Sequence, residues 1–404
     1  MPGRHRGGKK GGAGGRREAG PGSLMRGVRG RRRAWRAVQR GSGQAQPGGG
    51  GAVWEGEEAR WERAVGCGPR PVPLFSAESA FNGAVEVREY GEGELRWRGL
   101  EFCAGGGEGL FQGLVSIEGG VPAPGGWPEL GYVRVMAAAL AFCADALSAG
   151  GDVLSVGLGA GSLTAVLKAA FPRGRPDLMV CEIDPEVVRA ATLHLGFCGT
   201  GGDRKTQIYL DILQGRKDGG ESPDTQGPRL WLGDGAACVA TIADAVVGGR
   251  SPPLASILLD AFDGRNQIPA SMNCNESDFL ATAFSCLAPG GALVCNMQNG
   301  WWGSPERLAA LDYLASIRSA EACDSVVACV PRDMPQNVVA VARKKGEAEP
   351  IRSVAAVKQA AEKLASAVQG AGGALPFDPV EELSSAKKFS VLLVGNLVIE
   401  KEIK

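Results

Sequence analysis

The chain has 404 residues, enough for one large domain or two ordinary ones, and 44% of them are apolar, which suffices for a substantial globular core. Its 44 basic residues balance its 44 acidic residues, so overall charge points to no polyanionic partner such as a nucleic acid. No apolar run reaches the roughly 18 residues that span a bilayer, and the two histidines, His5 and His194, argue against a histidine-based zinc site. We therefore expect neither a membrane partner nor a bound metal.

The first 70 residues are rich in glycine and arginine and lack any hydrophobic period, so we predict a disordered tail. An arginine-rich, acid-poor start is also typical of an organellar transit peptide, and the expected locations are the cytoplasm or the chloroplast. A third interpretation is loose RNA binding through phosphates.

The eleven cysteines are scattered without CxxC pairs, and several lie inside apolar runs. This pattern favours buried free thiols in a reducing compartment over disulfides.

Residues 74–130 predict a small antiparallel β element, which could support a homodimer. Ala84–Tyr90 and Glu94–Arg98 alternate between apolar and polar side chains, with glycines between them. The turn-rich residues 119–131 follow. Tyr132–Leu147 is alanine-rich and predicts one continuous helix.

From Asp152 onward, predicted strands and helices alternate, which is typical of parallel strands joined by right-handed crossovers. The predicted strands are Val153–Val156, Leu178–Cys181, Arg229–Leu232, Ser256–Leu259, Ala292–Asn296, Val326–Val330 and Val338–Ala342. The predicted helices are Leu163–Phe171, Glu186–Leu195, Asp278–Leu287 and Pro305–Ser319. A surface insertion at 199–228 contains a further short strand at Ile208–Leu210.

The short link between the last two strands favours an antiparallel hairpin. The fold class is therefore α/β: a Rossmann-like domain over residues 131–345, with a seven-stranded, mostly parallel sheet whose last strand is antiparallel. This is the layout of class I methyltransferases. Residues 346–404 form an extension with an amphipathic helix over Val354–Val368 and an added strand within Phe389–Ile399, to which we assign no function.

A glycine-rich loop with Gly157, Gly159 and Gly161 joins the first strand of this sheet to its first helix. Glycines permit the tight turn and the close approach of a ligand to the backbone. The amino terminus of the helix attracts negative charge, such as the carboxylate of S-adenosylmethionine. Dinucleotide-binding folds share this loop, so the loop alone leaves the ligand open.

Two acidic residues narrow the choice of ligand. Glu182 ends the second strand, where a carboxylate accepts hydrogen bonds from ribose hydroxyls, although NAD-binding proteins share this device. Asp234, followed by Gly235, ends the third strand, where it can accept from the adenine amino group. The alternative is that Glu182, Asp184 and Asp234 each cap the following helix. The loop and the acids in this order predict an S-adenosylmethionine site.

Asp260 and Asp263 follow the fourth strand, at the edge of the sheet that faces the ligand crevice. They could hold a protonated amine, orient it or take its proton; the alternative is a turn or a helix cap. Asn296 ends the fifth strand and points toward the same crevice. Trp301 and Trp302 follow it, either as a substrate wall or as core residues.

Over residues 130–345 the chain resembles the spermidine-synthase-like branch of class I methyltransferases, and within it the group of methyltransferase-like protein 13 and its plant and algal relatives. Val156–Leu163, Cys181–Pro185 and Asp260–Gly264 carry this resemblance. It implies that Asp260 lies in the reaction pocket. The cofactor contacts that it implies are Gly157, Gly159, Glu182, Asp234 and Gly235.

The resemblance implies two activities: methyl transfer from S-adenosylmethionine, or aminopropyl transfer from decarboxylated S-adenosylmethionine to a polyamine. True aminopropyltransferases carry GGGDG in the loop, and their aspartate is replaced here by Ala160, which tolerates the carboxylate of the intact donor. Their Tyr-His-Glu element is reduced to Tyr132-Val133-Arg134, while their paired aspartates remain as Asp260 and Asp263. We expect a methyltransferase for an amine on a protein or small molecule, with a polyamine aminopropyltransferase or an inactive donor-binding module as alternatives.

Overall fold

The computed structural model describes residues 70–92, 94–103, 109–123, 128, 130–172, 176–213, 227–262, 267–273, 277–299, 304–347, 349–351, 353–384 and 388–393, all within one compact unit. Residues 1–69 of the predicted disordered tail lie outside these residues, as do Asp263, Trp301 and Trp302.

The described chain begins with a five-stranded antiparallel sheet in which each strand pairs with the next along the sequence. Its strands are β1 (Phe75–Ser79), β2 (Gly83–Glu92), β3 (Leu95–Cys103), β4 (Leu110–Glu118) and β5 (Val121–Pro122). The alternation in β2 places Val85 and Val87 in a buried cluster together with Leu100 of β3. The predicted small β element is confirmed.

A helical segment connects this sheet to the second one. It consists of α1 (Gly131–Ala138), a 3₁₀ turn (Ala139–Cys143) and α2 (Ala144–Ser148), so the predicted helix exists but tightens in its middle. Within the described ranges, Gly131–Ser148 is one helical stretch of 18 residues that is apolar enough to cross a membrane. The expectation that no apolar run reaches this length is therefore wrong. The reason for its apolar composition is packing, because 89% of the stretch is buried inside the protein.

The second sheet has nine strands in the order β14-β12-β13-β11-β10-β6-β7-β9-β8. They are β6 (Asp152–Val156), β7 (Leu178–Glu182), β8 (Thr200–Gly201), β9 (Arg229–Leu232), β10 (Leu254–Leu259), β11 (Leu287–Gln298), β12 (Cys323–Val330), β13 (Asn337–Lys344) and β14 (Lys388–Leu393). Parallel pairs run from β11 to β8, whereas β13 is antiparallel to both β11 and β12.

The seven predicted strands thus form the centre of this sheet, with the antiparallel strand between its two neighbours. The two additional strands lie at the edges: β8 extends the sheet beyond β9, and β14 pairs antiparallel with β12. β10 is buried along its whole length, which is typical of a central strand covered by helices on both faces. The chain has the predicted Rossmann-like α/β fold, with a mostly parallel sheet in which β13 is antiparallel to both of its neighbours.

The helices around this sheet are α3 (Ser162–Ala170), α4 (Pro185–His194), α5 (Arg204–Leu213), α6 (Gly235–Val247), α7 (Phe279–Cys286), α8 (Pro305–Ser319), α9 (Val354–Gly370) and α10 (Pro379–Ser384). The predicted strand at Ile208–Leu210 is wrong, because these residues belong to α5. Asp203 accepts from the backbone N–H of Thr206 at 2.8 Å, which caps the helix, and Thr206 and Leu210 are buried one helical turn apart.

Candidate active site

The glycine loop leaves β6 at the carboxyl edge of the sheet, and its three glycines have left-handed backbone conformations. The φ angles are 95° at Gly157, 52° at Gly159 and 80° at Gly161. A Cβ atom at Gly157 would collide with the backbone oxygen of Asp260, so packing alone requires glycine there. A Cβ atom at Gly159 would meet nothing within 4 Å. The open side of the loop, which a ligand can approach, is therefore at Gly159.

Glu182 lies beside this loop at the end of β7, and its side chain is buried. One carboxylate oxygen accepts from the backbone N–H of Leu158 and the other from that of Asp184, both at 2.9 Å. Burial raises the pKa of Glu182, while these hydrogen bonds lower it. The backbone N–H of Ile183 lowers the pKa of Glu182 as well. Because an ionised carboxylate has about four acceptor positions, acceptor capacity remains for a hydroxyl donor such as that of a ribose.

Asp184 connects the loop region to the first sheet. One carboxylate oxygen caps α4 by accepting from the backbone N–H of Glu186 at 2.9 Å, as the capping interpretation predicts. The other oxygen accepts from Ser79 Oγ at 2.6 Å and from Asn82 Nδ2 at 2.7 Å, in the turn between β1 and β2. The first sheet is thus hydrogen-bonded to the residue that orients Glu182. No sequence signal pairs these segments, since they are far apart in the chain.

Asp234 lies two residues after β9 and caps α6, so the capping alternative is realised at this position. Its Oδ1 accepts from the backbone N–H of Ala237 at 2.9 Å, and its Oδ2 accepts from Ser271 Oγ at 3.1 Å. A side chain at Gly235 would run into Val156 and Met272, which explains the glycine by packing. Capping uses only part of the acceptor capacity of Asp234, so contact with an adenine amino group stays a prediction.

Asp260 follows β10, and other side chains surround its carboxylate. Asn296 Nδ2 donates to its Oδ1 at 2.9 Å, and Asn337 Nδ2 in turn donates to Asn296 Oδ1 at 3.0 Å. The hydroxyl of Tyr132 on α1 donates to the backbone oxygen of Gln112 at 3.4 Å and lies close enough to the Asp260 carboxylate to affect its pKa. Burial raises the pKa of Asp260 to about 6, although Asn296 and Tyr132 oppose this rise.

The backbone of Asp260 contacts both the end of β6 and the glycine loop. Its N–H donates to the backbone oxygen of Val156 at 2.9 Å, and its backbone oxygen lies against Gly157. The structure brings Asp260 and Asn296 together as predicted, whereas Tyr132 and Asn337 were missed as site residues. Within the ranges given above, no three His, Cys, Asp or Glu side chains form a group that could hold a metal ion.

The strand β4 covers the loop from the side of the first sheet. Ala160 is buried, and a Cβ atom at Gly113 would come within 2.5 Å of the Ala160 methyl group. Ser162 Oγ, at the start of α3, donates to the carbonyl oxygen of Leu114 at 2.8 Å. The loop position that carries aspartate in aminopropyltransferases is therefore closely packed against a backbone.

No protein-family model and no curated protein sequence matches this chain. Among solved structures, human methyltransferase-like protein 13 in complex with SAH is 19% identical, and the match covers 59% of this chain and 93% of that chain with a TM-score of 0.43. A probable spermidine synthase from Corynebacterium glutamicum is 14% identical, with coverage of 76% and 90% and a TM-score of 0.45. An O-methyltransferase from Bacillus cereus in complex with SAH is 12% identical, with coverage of 51% and 80% and a TM-score of 0.31. Likenesses of this degree identify neither a donor nor an acceptor for this chain.

Proposed function

We propose that this protein is an S-adenosylmethionine-dependent methyltransferase that acts on an amine of a protein or a small molecule. One observation carries the proposal. The open position at Gly159, the buried carboxylate of Glu182 and the carboxylate of Asp260 lie around one loop at the carboxyl edge of the sheet. A donor on the loop would therefore have a proton acceptor beside it.

Positively and negatively polarised groups of the protein would both bind the donor. Its carboxylate would lie near the amino terminus of α3, where unpaired backbone N–H groups favour an anion. Its ribose hydroxyls would donate to Glu182, whose orientation is fixed by the N–H groups of Leu158 and Asp184. Its adenine amino group would donate to Asp234.

Methyl transfer requires little covalent catalysis by the protein. The bond between sulfur and the methyl carbon breaks as the amine nitrogen forms its bond to that carbon, so alignment of the reactants supplies most of the acceleration. The nitrogen must first be free of its extra proton. With a pKa of about 6, Asp260 is ionised at neutral pH and can orient an ammonium group and accept its proton. Tyr132 and Asn296 would hold the carboxylate in place.

The packing of Ala160 favours the intact donor over decarboxylated S-adenosylmethionine. An aspartate at this position would have to displace β4, because the Ala160 methyl group already lies against Gly113. Polyamine aminopropyl transfer remains the second candidate, because Asp260 would equally suit an amine acceptor.

Calorimetric titration with SAH and with decarboxylated S-adenosylmethionine tests donor binding, and we expect only the intact donor family to bind tightly. Incubation with methyl-labelled donor and either a proteome extract or a polyamine mixture then tests transfer. Asp260→Asn is expected to lower the rate by roughly 10²- to 10⁴-fold, as for the loss of a general base, with little change in SAH affinity. Asp244→Asn, an exposed carboxylate on α6, is the matched control.

Absence of SAH binding would sink the proposal. A propylamine-extended polyamine as the sole product would establish the second candidate instead. Tight SAH binding without transfer to any component of the extract would leave the inactive donor-binding module as the answer.

A further inference from the structure

Arg134 is a buried cation on α1 that binds groups from three other segments of the chain. Its side chain is 3% exposed, Nη2 lies 2.9 Å from Asp333 Oδ2, and Nε lies 3.1 Å from Glu382 Oε2. Nη1 donates to the carbonyl oxygen of Pro128 at 2.8 Å. The two acids are themselves largely buried, with 11% and 12% of their side chains exposed. Since a buried charge is costly unless it is paired, these two ion pairs fix the position of the guanidinium.

The two acids come from segments that meet only in the finished fold. Asp333 lies in the loop between β12 and β13, and Glu382 lies in α10, within the C-terminal extension. The first residue of α1 lies directly against this loop, because a Cβ atom at Gly131 would collide with the Asp333 carboxylate. Arg134 therefore joins the loop and the extension to the helix that carries Tyr132.

The loop that carries Asp333 leads into the hydrogen-bond chain that ends at Asp260. Asn337, the first residue of β13, closes the loop by donating its N–H to the backbone oxygen of Met334 at 3.0 Å. Its side chain donates to Asn296, which in turn donates to Asp260. An amide presents its oxygen and its NH₂ group on opposite sides, so the donor on Asn337 fixes which end of Asn296 faces Asp260.

We propose that Arg134 is a positioning residue for the proposed methyl transfer, and that the C-terminal extension contributes to the acceptor side through Glu382. Arg134 acts through the loop and the pair of Asn337 and Asn296, and touches neither donor nor acceptor. Loss of either ion pair lets the loop move, and Asn296 then holds the Asp260 carboxylate less firmly. A displacement of about 1 Å at a reacting group can cost on the order of 10²-fold in rate. The inference rests on the proposed function, whereas the coupling between the loop and Asp260 does not.

Asp333→Asn tests the ion pair to the loop, because it keeps the size of the side chain and removes its charge. At saturating labelled donor, we expect methyl transfer to a proteome extract to slow by about tenfold, while the dissociation constant for SAH changes by less than about twofold. The acid limb of the pH–rate profile should move to higher pH by about half a unit, because a weaker hydrogen bond from Asn296 raises the pKa of Asp260. Glu382→Gln should act in the same direction and by less, and it provides the test if Asp333→Asn does not fold.

A second ion pair between the helical segment 131–148 and the C-terminal extension offers a matched control. Asp145 on α2 pairs with Lys363 on α9 at 3.0 Å, but both side chains are more than half exposed. Asp145→Asn should therefore leave the transfer rate, the pH profile and the SAH affinity unchanged. The double variant Asp333→Asn/Asn337→Ala should lose no more rate than Asn337→Ala alone, because both changes act on one chain of hydrogen bonds.

Three results would overturn the inference: equal losses of rate and SAH affinity in Asp333→Asn, the same rate loss in Asp145→Asn, or additive losses in the double variant. If the wild type binds no SAH or transfers no methyl group, the proposed function fails. Carbon-13 NMR of the aspartate carboxyl carbons then decides the coupling alone, with the Asp260 signal assigned by its loss in Asp260→Asn. A higher titration midpoint of Asp260 in Asp333→Asn keeps the link from Arg134 to Asp260, and an unchanged midpoint removes it.

Discussion

The proposed donor side of the crevice, around Glu182, and the proposed acceptor side, around Asp260, are built in different ways. On the donor side, Glu182 and Asp184 are fixed by backbone N–H groups and by each other, two residues apart in the chain. On the acceptor side, Asp260 is held by side chains from α1 and β11, and Asn337 of β13 supports it from behind. Local backbone contacts are specified by short motifs, whereas side chains from separate elements meet only in the finished fold.

The two sides also differ in the groups that stabilise the buried carboxylates of Glu182 and Asp260. Burial raises the pKa of both Glu182 and Asp260, but at Glu182 this rise is opposed by backbone N–H groups, which remain after any substitution except proline. Asp260 depends on an amide and a phenol side chain. The donor side should therefore respond to changes in backbone space, and the acceptor side to changes in side chains and pH.

In the glycine loop, Gly157→Ala and Gly159→Ala separate the cost of a steric collision from the cost of the left-handed backbone conformation alone. We expect Gly157→Ala to lower the free energy of unfolding by about 3 kcal/mol, since its Cβ collides with the Asp260 backbone and its φ is left-handed. Gly159→Ala should cost only about 1 kcal/mol, because only the left-handed φ opposes it. Urea denaturation measures both. Equal losses would mean that the loop is not fixed by contact with Asp260.

Glu182→Gln tests whether the donor acid acts through its charge. We expect the dissociation constant for SAH to rise by roughly 30-fold, corresponding to about 2 kcal/mol for a hydrogen bond to a charged group. The matched control is Glu186→Gln, a partly exposed acid in the first turn of α4 that pairs with Arg189 at 3.4 Å. Calorimetry measures both variants. Similar affinities for the two would remove Glu182 from the donor site.

The smallest expected effect is the pH dependence of stability on the acceptor side. The pKa of Asp260 is about 6 in the folded protein, above the value of roughly 3.9 for an unfolded chain, so its ionised form destabilises the folded state. This destabilisation is complete above pH 6 and absent below about pH 4, where both states are protonated. A rise of about two pKa units is worth at most about 3 kcal/mol. Because Asp260 is only partly buried, we expect Asp260→Asn to gain about 1 to 2 kcal/mol over the wild type between pH 4 and pH 8.

Chemical denaturation at both pH values measures this gain, with Asp244→Asn as the control for an exposed carboxylate. A gain of the same size in Asp244→Asn would show that the environment of Asp260 is not special. A constant difference between Asp260→Asn and the wild type at both pH values would show that Asp260 ionises as in the unfolded chain.

Most strands of the central sheet could be predicted from the sequence, because short apolar runs that end in glycine or an acidic residue specify buried strands and their loops. The prediction failed where tertiary contacts determine the local structure or bring a residue into the site. Ile208–Leu210 looked like a strand because the helical spacing of Thr206 and Leu210 was hidden within an insertion. Tyr132 stood out only as a remnant of a degraded motif, although its hydroxyl reaches Asp260.

Asn337 had no signal at all, since it lies in the antiparallel strand and reaches the site through Asn296. The second role of Asp184 was equally hidden. Its cap on α4 follows from the neighbouring residues, but its bonds to Ser79 and Asn82 depend on how the first sheet packs against the second.

The close contact between Ala160 and Gly113 has a consequence for protein engineering. The substitution Ala160→Asp would not make this protein use decarboxylated S-adenosylmethionine, because the backbone of β4 fills the space that a longer side chain would need. A redesign would have to reposition that strand, together with the hydrogen bond from Ser162 to Leu114. A change of donor would therefore require changes in the first sheet as well as in the glycine loop.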